Sequence, residues 1–144
     1  MTARCLLAIL LAACVLQADL QQAKSEPNLF KRAMLALDNA NAALAKAHEA
    51  YARGDTKEVE ALAREIAESV VFAEASLRET GKNPRKNPKW FKRAESSTRE
   101  LLRRLDAFQQ DMDASDRPLL DAAKANVQKV HDDLLLGVLE GEEK

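Results

Sequence analysis

Apolar residues recur at alternating spacings of three and four along four stretches of this chain. The first series is Phe30, Met34, Leu37, Asn41, Leu44, His48 and Tyr51. Residues so spaced share one face of a helix, in the manner of a heptad seam. The spacing predicts a helix over 28–53. A second series, Val59, Leu62, Ile66, Val70, Ala73 and Leu77, predicts a helix over 56–80. Phe91, Ala94, Thr98, Leu101, Leu105, Phe108 and Met112 mark a third over 88–112, and Leu120, Ala123, Val127, Val130 and Leu134 a fourth over 116–140.

Punctuation residues agree with these bounds. Ser25, Glu26, Pro27 and Asn28 form a helix start, and Gly54 follows the first helix at a position that favours glycine. Asp55 with Glu58 three residues on makes a capping box for the second helix, which Gly81 stops. In the segment from Lys82 to Pro88, each proline drives the asparagine before it out of the α region. Asn87 and Pro88 then serve as N-cap and first residue of the third helix. Ser115 is the expected cap of the fourth, with Pro118 in its first turn. Gly137 weakens its end, and 141–144 is a frayed tail.

Each helix is about 25 residues, or ~37 Å, long. Equal lengths and short connections favour antiparallel neighbours. The expected fold is all-α, an antiparallel up-down-up-down four-helix bundle over 28–141. The alternative is a stack of helical hairpins. Ala50-Tyr51-Ala52-Arg53-Gly54-Asp55 resembles the turn of a tetratricopeptide repeat, which implies a helical-hairpin interaction module. Those repeats recur every 34 residues or so with helices about half this length, and no second copy is present.

The front of the chain has a different pattern. Arg4 is followed by an unbroken apolar run from Leu6 to Ala13. Eight residues are too few to cross a bilayer, which takes about 20. A basic start and a short apolar run predict an export signal over 1–18. The run ends in Leu11-Ala12-Ala13-Cys14, which resembles the lipobox of bacterial lipoproteins. That resemblance implies lipid on the Cys14 thiol and cleavage just before it. The departure is a leader of only 13 residues. The competing reading is an ordinary signal cut after Ala18, where Leu16 is large for such a site. Residues 19–27 read as a tether. Either way the expectation is an exported protein: periplasmic or membrane-anchored if bacterial, otherwise secreted.

Composition supports both inferences. The 144 residues set one domain, and aromatics make up only 4%. Abundant Ala, Leu, Arg, Lys and Glu favour helix. The two cysteines, Cys5 and Cys14, both lie in the leader, so the folded part has neither a disulfide nor a thiolate metal site.

Charge is distributed unevenly. Between Arg78 and Arg104, ten basic and three acidic residues give +7, which leaves −8 for the rest of a chain of net −1. Lys82, Arg85, Lys86, Lys89, Lys92 and Arg93 with Trp90 form a basic elbow before the third helix. Such a patch can grip phosphates, lipid headgroups or an acidic protein. Nucleic acid suits the charge but not an exported protein. The bland reading is a solvated face, with Glu95 paired to Arg99 and Glu100 to Arg104 at helical spacing.

His48 and Asn41 lie in the first seam, as a hydrogen-bonded core histidine and a register-setting polar residue. The Asn and His of that seam also suit a homodimer. A di-iron bundle needs Glu-x-x-His on two helices, whereas Ala45 and Gln128 stand three residues before the two histidines. The pairing of Met34, early in the first helix, with His131, late in the last, resembles the exported four-helix cytochrome b and implies a haem carrier as the alternative. Covalent haem lacks its Cys-x-x-Cys-His. With no nucleophile beside a base, no phosphate loop and no metal constellation, the expected function is non-enzymatic. The chain reads as an envelope binding or scaffolding protein whose partner is a protein or an anionic envelope component.

Overall fold

The computed structural model describes residues 20–140, and the leader with Cys14 and the tail 141–144 lie outside them. The described chain is helical, with no strand among these residues. Four long helices dominate: α1 (Leu29–Ala52), α2 (Thr56–Glu79), α3 (Pro88–Asp111) and α4 (Asp121–Leu139), the last preceded by a 3-10 turn at Arg117–Leu120. No described helix is long and apolar enough to cross a membrane.

Local chemistry places most of the ends. The Asn28 and Asp55 side chains accept from the backbone N–H of Lys31 and Glu58, capping α1 and α2. The capping box at Asp55 is half made, since the Glu58 carboxylate goes instead to Arg53, 2.7 Å away. Gly54 and Gly81 take φ of +75° and +64°, which a Cβ would strain. Pro88 opens α3, although the Asn87 side chain makes no cap bond. Ser115 is not the cap of α4. The chain first makes the 3-10 turn after Asp116, so the regular helix begins at Asp121.

Residues 20–25 are helical where composition predicts a tether. Leu20 and Ala23 are buried, so this short segment joins the core.

The buried face of α1 differs from the seam of large residues. It carries Ala33, Ala36, Ala40, Ala43, Ala47 and Ala50 together with Leu37, Leu44 and Asn39. Phe30, Met34, Asn41 and Tyr51 are only partly buried, and His48 is exposed. Alanine leaves room for another helix to come close, so this face packs on α2. The larger residues beside it turn toward α3: Phe30 meets Phe91 edge-on at 6.4 Å, and His48 stacks on Phe108 at 3.8 Å.

Polar cross-links record the helix pairing. Between α1 and α2, the buried Asn39 amide donates to Ser69 Oγ (2.9 Å) and Glu65 Oε1 (3.0 Å), and Arg32 pairs with Glu79 at 3.6 Å. Between α3 and α4, Thr98 meets His131 at 3.2 Å and Lys124 meets Asp106 at 2.6 Å. Arg78 of α2 reaches Asp133 of α4 at 3.5 Å, and Arg104 of α3 donates to Asn41 of α1 at 2.8 Å. The packed pairs are therefore α1 with α2, α3 with α4, α2 with α4 and α1 with α3. Consecutive α2 and α3 are not a closely packed pair. Residues 80–87 explain this, because eight residues reach up to ~26 Å, well over the ~14 Å diagonal of a four-helix square.

Candidate functional site

The elbow between α2 and α3 begins where Thr80 and Gly81 close α2 and ends at Pro88. Asx and hydroxyl turns shape it: the backbone N–H of Lys82 donates to Thr80 Oγ1 (3.1 Å) and that of Arg85 to Asn83 Oδ1 (2.8 Å). These bonds occupy backbone groups and leave the cationic side chains outward. Lys82, Arg85, Lys86, Lys89 and Arg93 are all exposed.

Within the basic stretch the structure separates two populations. Arg78 is held by Glu74 at 2.6 Å and by Asp133. Arg99 pairs with Glu95 at 3.2 Å, as the helical spacing predicts. Glu100 pairs with Arg103, one residue short of the expected Arg104, which instead turns to Asn41. The difference is positional, since Arg104 lies on the face of α3 that borders α1. Among the described residues, Lys82, Arg85, Lys86 and Arg93 make no side-chain ion pair. The Lys89 ammonium lies 5.4 Å from the centroid of the Trp90 ring, a cation–π distance. Lys92 has an interaction of its own and is not among these unpaired cations.

Trp90 supports this surface from beneath. It is half-buried and stacks on Phe30, with ring centroids 5.4 Å apart and planes at 15°. Phe91, the next residue, is buried and touches the same Phe30 edge-on. The aromatics thus tie the start of α3 to the start of α1 and hold the cations on a firm base. Pro84 rests against α4, so close that a Cβ on Gly137 would lie 3.3 Å from its Cγ. Gly137 is therefore the seat of the elbow, beyond its effect on helix stability.

The two histidines are not in one site. His48 is neither buried nor hydrogen-bonded in the core. It lies on the surface against Phe108, and its pKa falls below the ordinary 6.5 through desolvation and then the nearby Arg104 charge, with Asp111 opposing. His131 turns to α3, where its Nδ1 lies 3.2 Å from Thr98 Oγ1 and 3.8 Å from Glu95 Oε1. Thr98 donates its one hydroxyl proton to the Glu95 carbonyl at 2.8 Å. With that proton engaged, the Thr98 oxygen is left as an acceptor toward Nδ1 of His131. Met34 is half-buried against the core on α1, a helix that does not pair with α4. The partners of His131 are thus on α3, and Met34 is not among them.

Two features escaped the periodicity. One is the Asn39–Ser69–Glu65 cluster, because Asn39 sits off the seam of large residues. The other is a cleft of about 550 Å³ between α2 and the start of α4, floored by Ala63, Ala67, Leu119, Ala122 and Ala123 and edged by Glu60 and Arg64. Small residues on two separate helices make such a groove, and no spacing within one helix signals it. Farther along the same helix pair, burial raises the pKa of Glu74, while the Lys129 hydrogen bond lowers that of Asp133. Among the described residues, no three His, Cys, Asp or Glu side chains converge as a metal site. Compared with known protein families, with curated proteins and with solved structures, the chain matches none.

Proposed function

We propose that this chain is a non-enzymatic helical binding protein of the cell envelope that holds an anionic partner on the elbow between α2 and α3. The observation that carries the reading is the group of exposed cations Lys82, Arg85, Lys86 and Arg93, which have no ion pair among the described residues. Unneutralised charge crowded on one turn repels itself, and a negative surface relieves that repulsion. The Trp90–Phe30 stack supports the role, because a firm base loses less entropy on binding than a loose loop.

The export reading rests on the leader 1–18, and attachment through lipid on Cys14 rests on the lipobox resemblance. We read the architecture as two antiparallel hairpins, α1–α2 and α3–α4, set side by side. Arg32–Glu79 followed by Asn39–Ser69, and Thr98–His131 followed by Asp106–Lys124, advance along one helix while receding along the other, which supports antiparallel partners within each hairpin. The contacts Phe30–Phe91 and His48–Phe108 support a parallel course for α1 and α3. Helix directions then alternate as in an up-down-up-down bundle, while α2 and α3 stand diagonally.

The test is retention on a column bearing a sulfated polyanion. The native protein is expected to bind and to elute with rising salt, as screened surface charges do. Changing Lys82, Arg85, Lys86 and Lys89 together to Glu is expected to abolish retention with helicity unchanged. Equal retention of the two proteins refutes the reading.

A further inference from the structure

Leu20, the first described residue, is buried. With Gln21 and Lys24 it edges a recess of about 430 Å³ whose other side is Ala61, Arg64, Glu65 and Glu68 of α2. Arg64 and Glu68 also line the cleft of about 550 Å³ between α2 and the start of α4. The two recesses therefore meet at these two side chains. The cleft face of α2 also carries an exposed apolar residue. At about 100° per residue, Val71 shares the face that carries Arg64 and Ala67, and it is 45% exposed.

Arg64 is exposed at the junction. Glu60 and Glu68 stand four residues to either side of it, yet among the described residues Arg64 makes no side-chain ion pair. An apolar floor, an exposed valine and an unpaired cation on one face suit an apolar segment with an acid beside it. The residues that precede Leu20 have that composition: Val15, Leu16, Gln17, Ala18 and Asp19. Leu16 stands four residues before Leu20. Four residues span up to ~14 Å, more than the ~10–12 Å width of a helix with its side chains. Leu16 can therefore cross from the Leu20 side of α2 to the cleft.

We infer that residues 15–19 lie across α2, with Val15 and Leu16 in the cleft between α2 and α4 and the Asp19 carboxylate at Arg64. Burial of the two apolar side chains drives the docking, and Asp19 neutralises a charge that the described helices leave over. This inference does not rest on the elbow. On the lipobox reading, a mature chain that starts at Cys14 keeps the whole segment. Its lipid then lies next to the cleft, and the bundle meets the membrane with its α2–α4 flank instead of hanging from a loose tether.

The experiment uses the full chain with Cys5→Ser and Cys14→Ser, produced without export, so that the leader stays on and the only thiols are introduced ones. Leu16→Cys with Ala67→Cys is expected to form a disulfide within the chain under mild oxidation. Ala122→Cys, exposed on the α4 wall of the cleft, is expected to serve as well as Ala67→Cys. Ala61→Cys, beside Leu20 but outside the cleft, is expected to yield about fivefold less, since a disulfide needs Cα atoms within about 7 Å. In the chain without introduced thiols, Leu16→Asp is expected to raise the unfolding equilibrium constant about tenfold, through lost apolar burial. Asp19→Arg is expected to lower the 16–67 disulfide yield, and Arg64→Asp to restore it.

Equal disulfide yields at Ala61 and Ala67 overturn the inference, as does an unfolding equilibrium indifferent to Leu16→Asp. A charge swap that fails to restore the yield overturns the Asp19–Arg64 contact. Disulfides that form between chains, in a protein that is a dimer before oxidation, give the cleft to a second copy, and the inference falls. It falls too if the native protein has a mass that begins at Asp19, because the mature chain then has no Leu16 to dock. Loss of polyanion retention on reversing the elbow charges bears on the proposed function alone.

Discussion

Where α1 meets α2, six alanines line the buried face of α1, and Asn39 spends both amide hydrogens on Ser69 and Glu65. Where the chain passes from α2 to α3, Lys82, Arg85 and Lys86 stand in solvent with no ion pair among the described residues. One region is closed: its volume is filled and its polar atoms are satisfied. The other is open, with groups that have an energetic reason to meet something else. A protein of this size divides such tasks, because satisfied polar atoms in a low-dielectric interior stabilise a fold, whereas exposed charge contributes little to stability and much to association.

The largest expected effect comes from breaking the closed region. Leu105, fully buried on α3, is expected to cost about 2–5 kcal/mol when changed to Ala, through lost burial and the cavity left behind. Denaturant unfolding measures it. Overfilling tests the alanine face more specifically. Ala40→Leu is expected to cost about 1–3 kcal/mol, because α2 leaves no volume for three further carbons. Ala45→Leu, on the exposed face of the same helix, is expected to be near neutral. Equal effects at the two positions would show that α1 does not present its alanines to α2.

Removing one partner of the buried amide comes next. Asn39→Ala leaves Ser69 Oγ and the Glu65 carboxylate without their donor, an expected cost of about 1–3 kcal/mol. Charge reversal at Lys82, Arg85, Lys86 and Lys89 is expected to change stability by less than about 0.5 kcal/mol per site, as exposed substitutions do. A large loss of stability there would make the elbow a structural element and erase the contrast between the regions.

The smallest effect concerns pH. Desolvation first and Arg104 second hold the His48 pKa below 6.5 in the folded chain. The unfolded chain therefore takes up the proton at a higher pH. This contribution to stability is complete above the unfolded pKa of 6.5 and declines as pH falls from there toward the lower folded value. Because His48 lies at the surface, the change is small and is best read from its ring resonances by NMR. The expected midpoint lies below that of free imidazole, and Arg104→Gln moves it upward. A midpoint at or above 6.5 contradicts the geometry at Phe108.

The sequence alone was sufficient for the all-helical class and for four long helices within a few residues of their ends. These depend on local rules: apolar spacing, caps at Asn28 and Asp55, left-handed glycines at 54 and 81, and Pro88 at a helix start. It also marked the basic elbow, since neighbouring cations in a proline-broken turn are visible without coordinates. The tertiary structure decided which face of α1 is inside. Periodicity ranks positions by size, and the large residues from Phe30 to His48 outranked alanines whose value lies in how closely α2 can approach. The structure also decided that the last α-helix starts at Asp121 and that Leu20 and Ala23 belong to the core. It alone showed Arg78 held by Glu74 and Asp133, and Pro84 seated on Gly137. Ion pairs such as Arg78–Asp133 and contacts such as Pro84–Gly137 join residues more than 50 positions apart. No pattern read within one helix contains them, because they arise only when separate helices compete for the same space.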